Sequence, residues 1–312
     1  MEEIMKELSN KILKDYQIRK TRKQKTEFIE LLQKELNKEV IIEEGGILKS
    51  RNIIVGDLEN SKIVLGAHYD TQPVLPFPNF LTPKNMIVYI LYMIVFMFIF
   101  LGIQFLFEFI IIKLTNNTGL GILAGLAWCI FFLGWMFVGK ANKHTANDNT
   151  SGVLTLIEAI HDEELKDVCC VFFDHEELGI FGSAFFNKKH KDLLKDKLVF
   201  NFYCVGDGDS IIFVLSKTAL DEENKLKESF VSDGNKEVII TKSSNTLYPS
   251  DQMSFKHHVG VAAFKKHKII GYYMDKIHTI KDINCDENNI KFIINGLKEY
   301  MKRVDYDMMT SQ

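Results

Sequence analysis

Two uninterrupted apolar runs constrain this chain more than any other feature. From Ile87 to Phe107 there is no charged residue and only Gln104 is strongly polar; from Leu114 to Gly139 there is no charge at all. Each run is long enough to cross a hydrocarbon core of about 30 Å as a helix, which takes roughly 20 residues. The stretch Thr115-Asn116-Asn117-Thr118-Gly119 between them reads as a turn, so the pair is expected to form a transmembrane helical hairpin over residues 84–139. The competing reading, a hairpin buried in a soluble core, is disfavoured by the length of both runs. Glu108, the one awkward charge, is expected at a helix end, where it can reach the interface. Lys84, Lys140 and Lys143 at the open end outnumber Lys113 near the tip, which places the main domain on the cytoplasmic side.

Outside the hairpin the chain reads as an α/β protein. Residues 1–37 carry apolar positions at helical spacing (Leu8, Ile12; Phe28, Leu31, Leu32, Leu36) and predict one or two helices. The basic run Arg19 to Lys25 between them is expected to be a solvated turn. Short strands are expected near 38–43, 51–56 and 62–67, the last running into His68-Tyr69-Asp70-Thr71. Four prolines (Pro73, Pro76, Pro78, Pro83) then make a stiff, extended connector into the hairpin. After the hairpin, ANDNTSG (146–152) opens an apolar helix, and Val168 to Phe173 is an apolar strand that ends in Asp174-His175-Glu176-Glu177. A strand apolar throughout suits a sheet covered on both faces. Alternating strands and helices predict a three-layer sandwich, a mixed and largely parallel sheet flanked by helices, spanning 38–83 and 140–312.

The formal net charge of -3 leaves no basic footprint for nucleic acid. The five cysteines are odd in number and contain no CxxC pair, which excludes a disulfide framework and a thiolate zinc knuckle and fits a reducing compartment. Metal chemistry is instead suggested by His, Asp and Glu at strand ends. His68 and Asp70 follow one strand, Asp148 opens a helix, Glu176 and Glu177 follow another strand, and His278 comes late in the chain. Singly, each reads as a surface or capping residue.

Together, the segments GAHYDT (66–71), ANDNTSGV (146–153), FFDHEELGIFGS (172–183), YPSDQMSF (248–255) and IHTIKD (277–282) resemble the M28 zinc metallopeptidases in order and local spacing. The distance from Asp70 to Asp148 is longer than in that family, and the hairpin fills the excess. The resemblance implies that His68, Asp148, Glu177 and His278 ligate zinc, with Asp148 bridging two ions. It further implies that Glu176 is the general base and that Asp70 orients the His68 imidazole. Where the family has one more carboxylate ligand this chain has Tyr203, a poor ligand until deprotonated, with Asp207 or Asp209 as conceivable replacements. The expectation is therefore one firm zinc site and a weak or absent second, in a membrane-anchored, aminopeptidase-like exopeptidase acting on peptides. The resemblance leaves two other readings open: a single-zinc acyltransferase like the glutaminyl cyclases, and a catalytically impaired membrane scaffold.

Overall fold

The computed structural model describes residues 2–310. Two N-terminal helices, α1 (Glu2–Asp15) and α2 (Arg22–Glu35), answer the helical spacing. Thr21 and Gln24 close a capping box at the start of α2, which satisfies backbone donors that a helix leaves open at that end. Leu8, Ile12, Phe28, Leu31 and Leu32 are buried against the sheet.

The strands are β1 (Val40–Gly45), β2 (Ser50–Val55), β3 (Ile63–His68), β4 (Val168–Phe173), β5 (Leu198–Phe202), β6 (Ser210–Leu215), β7 (Glu237–Lys242), β8 (His258–His267) and β9 (Gly271–Tyr273). They form one sheet in the order β1-β2-β4-β3-β5-β8-β6-β7, with β9 paired to β8. The neighbouring strands β4, β3, β5 and β8 run parallel, while the β1/β2, β2/β4, β8/β6 and β8/β9 pairs are antiparallel. The sheet is thus mixed with a parallel centre. Successive residues of a strand face opposite sides: Leu65, Ala67, Cys170 and Phe172 join the core shared with α1 and α2, whereas Val64, Cys169, Val171 and Phe173 join the one containing Phe186. The helices α5 (Gly152–His161), α8 (Glu223–Ser229) and α9 (Glu287–Thr310) contribute to the first core, and α6 (Phe181–Lys189) and α7 (Lys191–Leu194) to the second.

Between β3 and α5 the chain leaves the sandwich as α3 (Met86–Thr115) and α4 (Thr118–Val138), both long and apolar enough to cross a membrane. No residue of α3 is buried. The two helices touch where α4 lacks side chains: a Cβ on Gly125 would lie 2.0 Å from Glu108 Oε1. Glu108 is therefore not at a helix end, as its charge suggested. α3 continues to Thr115, where Asn116 takes the left-handed conformation that ends it, and Glu108 sits inside the hairpin, accepting a hydrogen bond from Gln104 Nε2 at 3.1 Å. Chain reversal was set by the turn residues rather than by the nearest charge.

The root of the hairpin is stapled to the sandwich. Pro73 and Ala141 form an antiparallel bridge, Val74 N–H donates to Lys140 O at 2.8 Å, and Asn142 N–H donates to Gln72 O at 3.2 Å. Phe77 of the proline connector packs on Phe96 and Phe132 of the two helices.

Candidate metal centre

Parallel strands deliver their carboxyl ends to one edge of the sheet, where ligands of such folds bind. His68 ends β3, the Asp174–Glu177 turn follows β4, and Tyr203 follows β5. Asp148 comes from a buried turn, Ala146–Ser151, just ahead of α5; its peptide bond to Asn149 is cis. His278 lies on the loop after β9 with φ of 65°, a left-handed conformation uncommon for a residue with a side chain.

Six residues singled out from sequence meet here. His68 Nε2 is 3.4 Å from Asp148 Oδ1 and 4.0 Å from Glu176 Oε2. His278 Nε2 is 3.1 Å from Asp148 Oδ2 and 3.5 Å from Glu177 Oε2. The two oxygens of Asp148 thus face two different imidazoles. Asp70 sits 3.5 Å from His68 Nδ1, a nitrogen that lies closer, at 3.1 Å, to the Asp70 backbone carbonyl. Its carboxylate also accepts from the backbone N–H groups of Glu176 (3.0 Å) and Glu177 (3.2 Å), fixing the turn that carries both glutamates. His278 and Glu176 keep 17% and 11% of their side-chain surface, so the site is open from that side, while His68 and Asp148 have none.

The electrostatics call for a cation. Burial, followed by the charges of Asp148 and Glu176, holds the Glu177 carboxyl well above the usual range. Burial raises Glu176 as well, against the pull of His68. Burial alone would raise Asp148, but the imidazoles of His278 and His68 facing its two oxygens draw it well below the usual range. His68 Nε2, both oxygens of Asp148 and Glu177 Oε1 are buried without a hydrogen-bond partner among the described residues. Orphaned polar atoms of this kind are costly unless something binds them. One ligand atom from each of His68, Asp148 and Glu177 falls within 4.8 Å of the others, and this nitrogen and oxygen set suits zinc.

Several residues that hold this arrangement carried no assigned role in the sequence reading. Asp282 accepts from the backbone N–H groups of Asn147 (2.8 Å) and Asp148 (3.0 Å) and so anchors the Asp148 turn; the motif IHTIKD contains it, so the signal was present. Burial beside Asp148 pushes its carboxyl up to about 7. The basic run expected to be solvated is exposed in its middle, at Thr21, Arg22 and Lys23, but buried at both ends. Arg19 is fully buried, donating to Tyr69 O and Tyr16 O and, at 3.1 Å, to Thr150 Oγ1, and Lys25 forms a buried ion pair with Asp174. Burial lowers Arg19 to about 10, so it stays charged at neutral pH. These cations lie behind a carboxylate-rich site and offset part of its charge. Lys25→Met is expected to destabilise the protein by about 3 kcal/mol, because the Asp174 carboxylate stays buried without its partner; chemical denaturation compared with wild type measures it.

Tyr203 is a buried aromatic beside the site. Its ring lies 5.5 Å from His68 and 5.5 Å from Tyr248, and burial, reinforced by Asp148, raises its phenol well above its ordinary value. Asp207 is 2.9 Å from Lys265, and Asp209 is 2.8 Å from Lys236, so both side chains are engaged elsewhere.

The profile of peptidase family M28 matches residues 135–293. The chain belongs to this family. The matched stretch contains Asp148, Glu176, Glu177 and His278, and stops short of His68, Asp70 and most of the hairpin. No curated protein matches this M28 chain. Among solved structures it is similar to a Zn-dependent exopeptidase from Parabacteroides distasonis (TM-score 0.57, 14% identity, 95% of each chain covered). It is also similar to the glutaminyl cyclase of Porphyromonas gingivalis (TM-score 0.59, 13% identity, 96% of each chain covered). The LapA aminopeptidase of Legionella pneumophila is a third (TM-score 0.55, 13% identity, 96% of this chain and 68% of that one). At these identities the likeness establishes the fold. Family membership supports a peptidase-like enzyme and implies zinc.

Proposed function

We propose that this M28 chain is a membrane-anchored, zinc-dependent exopeptidase of the aminopeptidase type. The observation that carries the reading is the convergence of two imidazoles on the two oxygens of one buried, otherwise unpartnered carboxylate, Asp148, with Glu176 and Glu177 alongside. Asp148, Glu177 and His278 would hold one zinc, which supplies Lewis acidity and brings the pKa of a water to about 7 when bound. Glu176, on the open side of the site, takes a proton from the attacking water and returns it to the departing amine. Asp70 aims Glu176 by holding its backbone N–H, and Asp282 does the same for Asp148.

A second ion would need His68, Asp148 and a further carboxylate, and Tyr203 stands where that carboxylate is missing. We therefore assign one firmly held zinc per chain. Tyr203→Asp is expected to raise the metal content of purified protein from one to two ions per chain; two ions in the wild type would overturn the assignment. The same single-metal set favours one second reading, an acyltransferase that cyclises N-terminal glutamine. Release of ammonia from a glutaminyl peptide, without peptide-bond cleavage, separates it from the first. The loss-of-function reading, a scaffold, predicts neither product.

We further propose that α3 and α4 cross a bilayer, with the sandwich on the cytoplasmic side. Support comes from their apolar exposed surface and from Lys84, Lys140 and Lys143 at their root against Lys113 near their tip.

A further inference from the structure

The hairpin does more than hold the sandwich at a surface. Where it joins, there is a cavity of about 440 Å³ lined by Val74, Leu75, Pro76, Trp135, Thr279 and Ile280. Its walls continue directly from the two loops that carry the site: Val74 and Leu75 follow the His68–Thr71 segment, and Thr279 and Ile280 follow His278. Leu75 N–H donates to His278 O at 2.8 Å, and Asn142 Nδ2 donates to Thr279 O at 3.1 Å, so these walls are tied to one another. Trp135 also lines a second, open groove of about 430 Å³ along α4, with Phe131, Gly134 and Val138. Phe131 and Val138 are 60% and 78% exposed. The two spaces therefore share Trp135, at the end of α4 where an aromatic ring suits a membrane–water interface.

We propose that this cleft is a substrate subsite fed from the bilayer, taking the apolar side chains of a peptide that leaves the membrane alongside α4. The proposal rests on the peptidase reading above and names its substrate class: hydrophobic, membrane-residing peptides. A lipid acyl chain would suit the groove along α4. The inner cavity favours a peptide, because Asp275, Thr279 and Lys281 give it a polar edge that a peptide backbone can use and an alkyl chain cannot. Gly134 leaves the groove open, and a Cβ there meets nothing within 4 Å, so a bulky residue at this position fills the groove without disturbing the fold.

The test uses the full chain in phosphatidylcholine vesicles with Trp128→Phe, which leaves Trp135 as the single tryptophan. In a Glu176→Gln background, an alanine- and leucine-rich peptide carrying bromophenylalanine is expected to quench Trp135 saturably, and Gly134→Phe to abolish the quenching. With Glu176 intact, Gly134→Phe is expected to lower the ratio of kcat/KM for that peptide over a serine-rich one by about tenfold, the scale on which apolar pockets discriminate. Quenching by dibrominated phosphatidylcholine but not by the peptide, or an unchanged ratio, overturns the proposal. Saturable quenching by the peptide with no turnover by any variant supports the cleft and sinks the peptidase reading instead.

Discussion

Glu176→Gln is expected to lower kcat for peptide hydrolysis by about 10²–10⁴, the usual contribution of a positioned general acid–base, while metal content stays at the wild-type value. Glu176 lies on the open side of the site, with Oε2 4.0 Å from His68 Nε2, whereas Glu177 Oε2 faces His278 Nε2 at 3.5 Å. Glutamine keeps the shape and the backbone N–H that Asp70 holds at 3.0 Å, and removes the ability to accept and return a proton. Steady-state kinetics with metal analysis on the same preparation checks both halves. Equal rates in the two proteins would leave the fold as a scaffold; loss of metal would make Glu176 a ligand.

Asp148→Asn is expected to have an effect as large, through a different route. The substitution is isosteric but removes the charge that faces both His68 and His278. Outer-shell residues typically change metal affinity 10–100-fold, and this central position is expected to exceed about 100-fold. A stability signature follows. At free metal a thousandfold above Kd, a bound ion adds about 4 kcal/mol to wild type, which a chelator removes, whereas a hundredfold weaker site in Asp148→Asn keeps at most about 1.4 kcal/mol of that gain, so its thermal midpoint is expected to respond far less to chelation. Thermal melts with and without chelator decide it; a variant as chelator-sensitive as wild type would place the metal elsewhere.

The path from sequence to these residues was uneven, for physical reasons. The meeting of His68, Asp148, Glu176, Glu177 and His278 was legible because their motifs together resemble the M28 pattern, and a parallel sheet puts His68, Glu176 and Glu177 just beyond strand ends. The strand Val168–Phe173 was legible because burial on both faces imposes an apolar run, and the two long helices because their apolar residues continue without a break. Arg19 and Lys25 were not, because nothing local distinguishes a buried cation from a solvated one. Their partners, Thr150 and Asp174, lie 131 and 149 residues away in the chain. Glu108 misled for a related reason: its neighbour across the hairpin is Gly125, a position whose importance is the absence of a side chain.

The Pro73–Ala141 staple has a practical corollary. Since the bridge and its flanking hydrogen bonds close the two strands of chain at the base, the long excursion beyond them is topologically dispensable to the sandwich. On the proposed peptidase function, exchanging Met86–Val138 for a flexible glycine–serine tether should yield a protein that stays in solution without detergent and still digests small polar peptides, which a peptide-hydrolysis assay in detergent-free buffer checks.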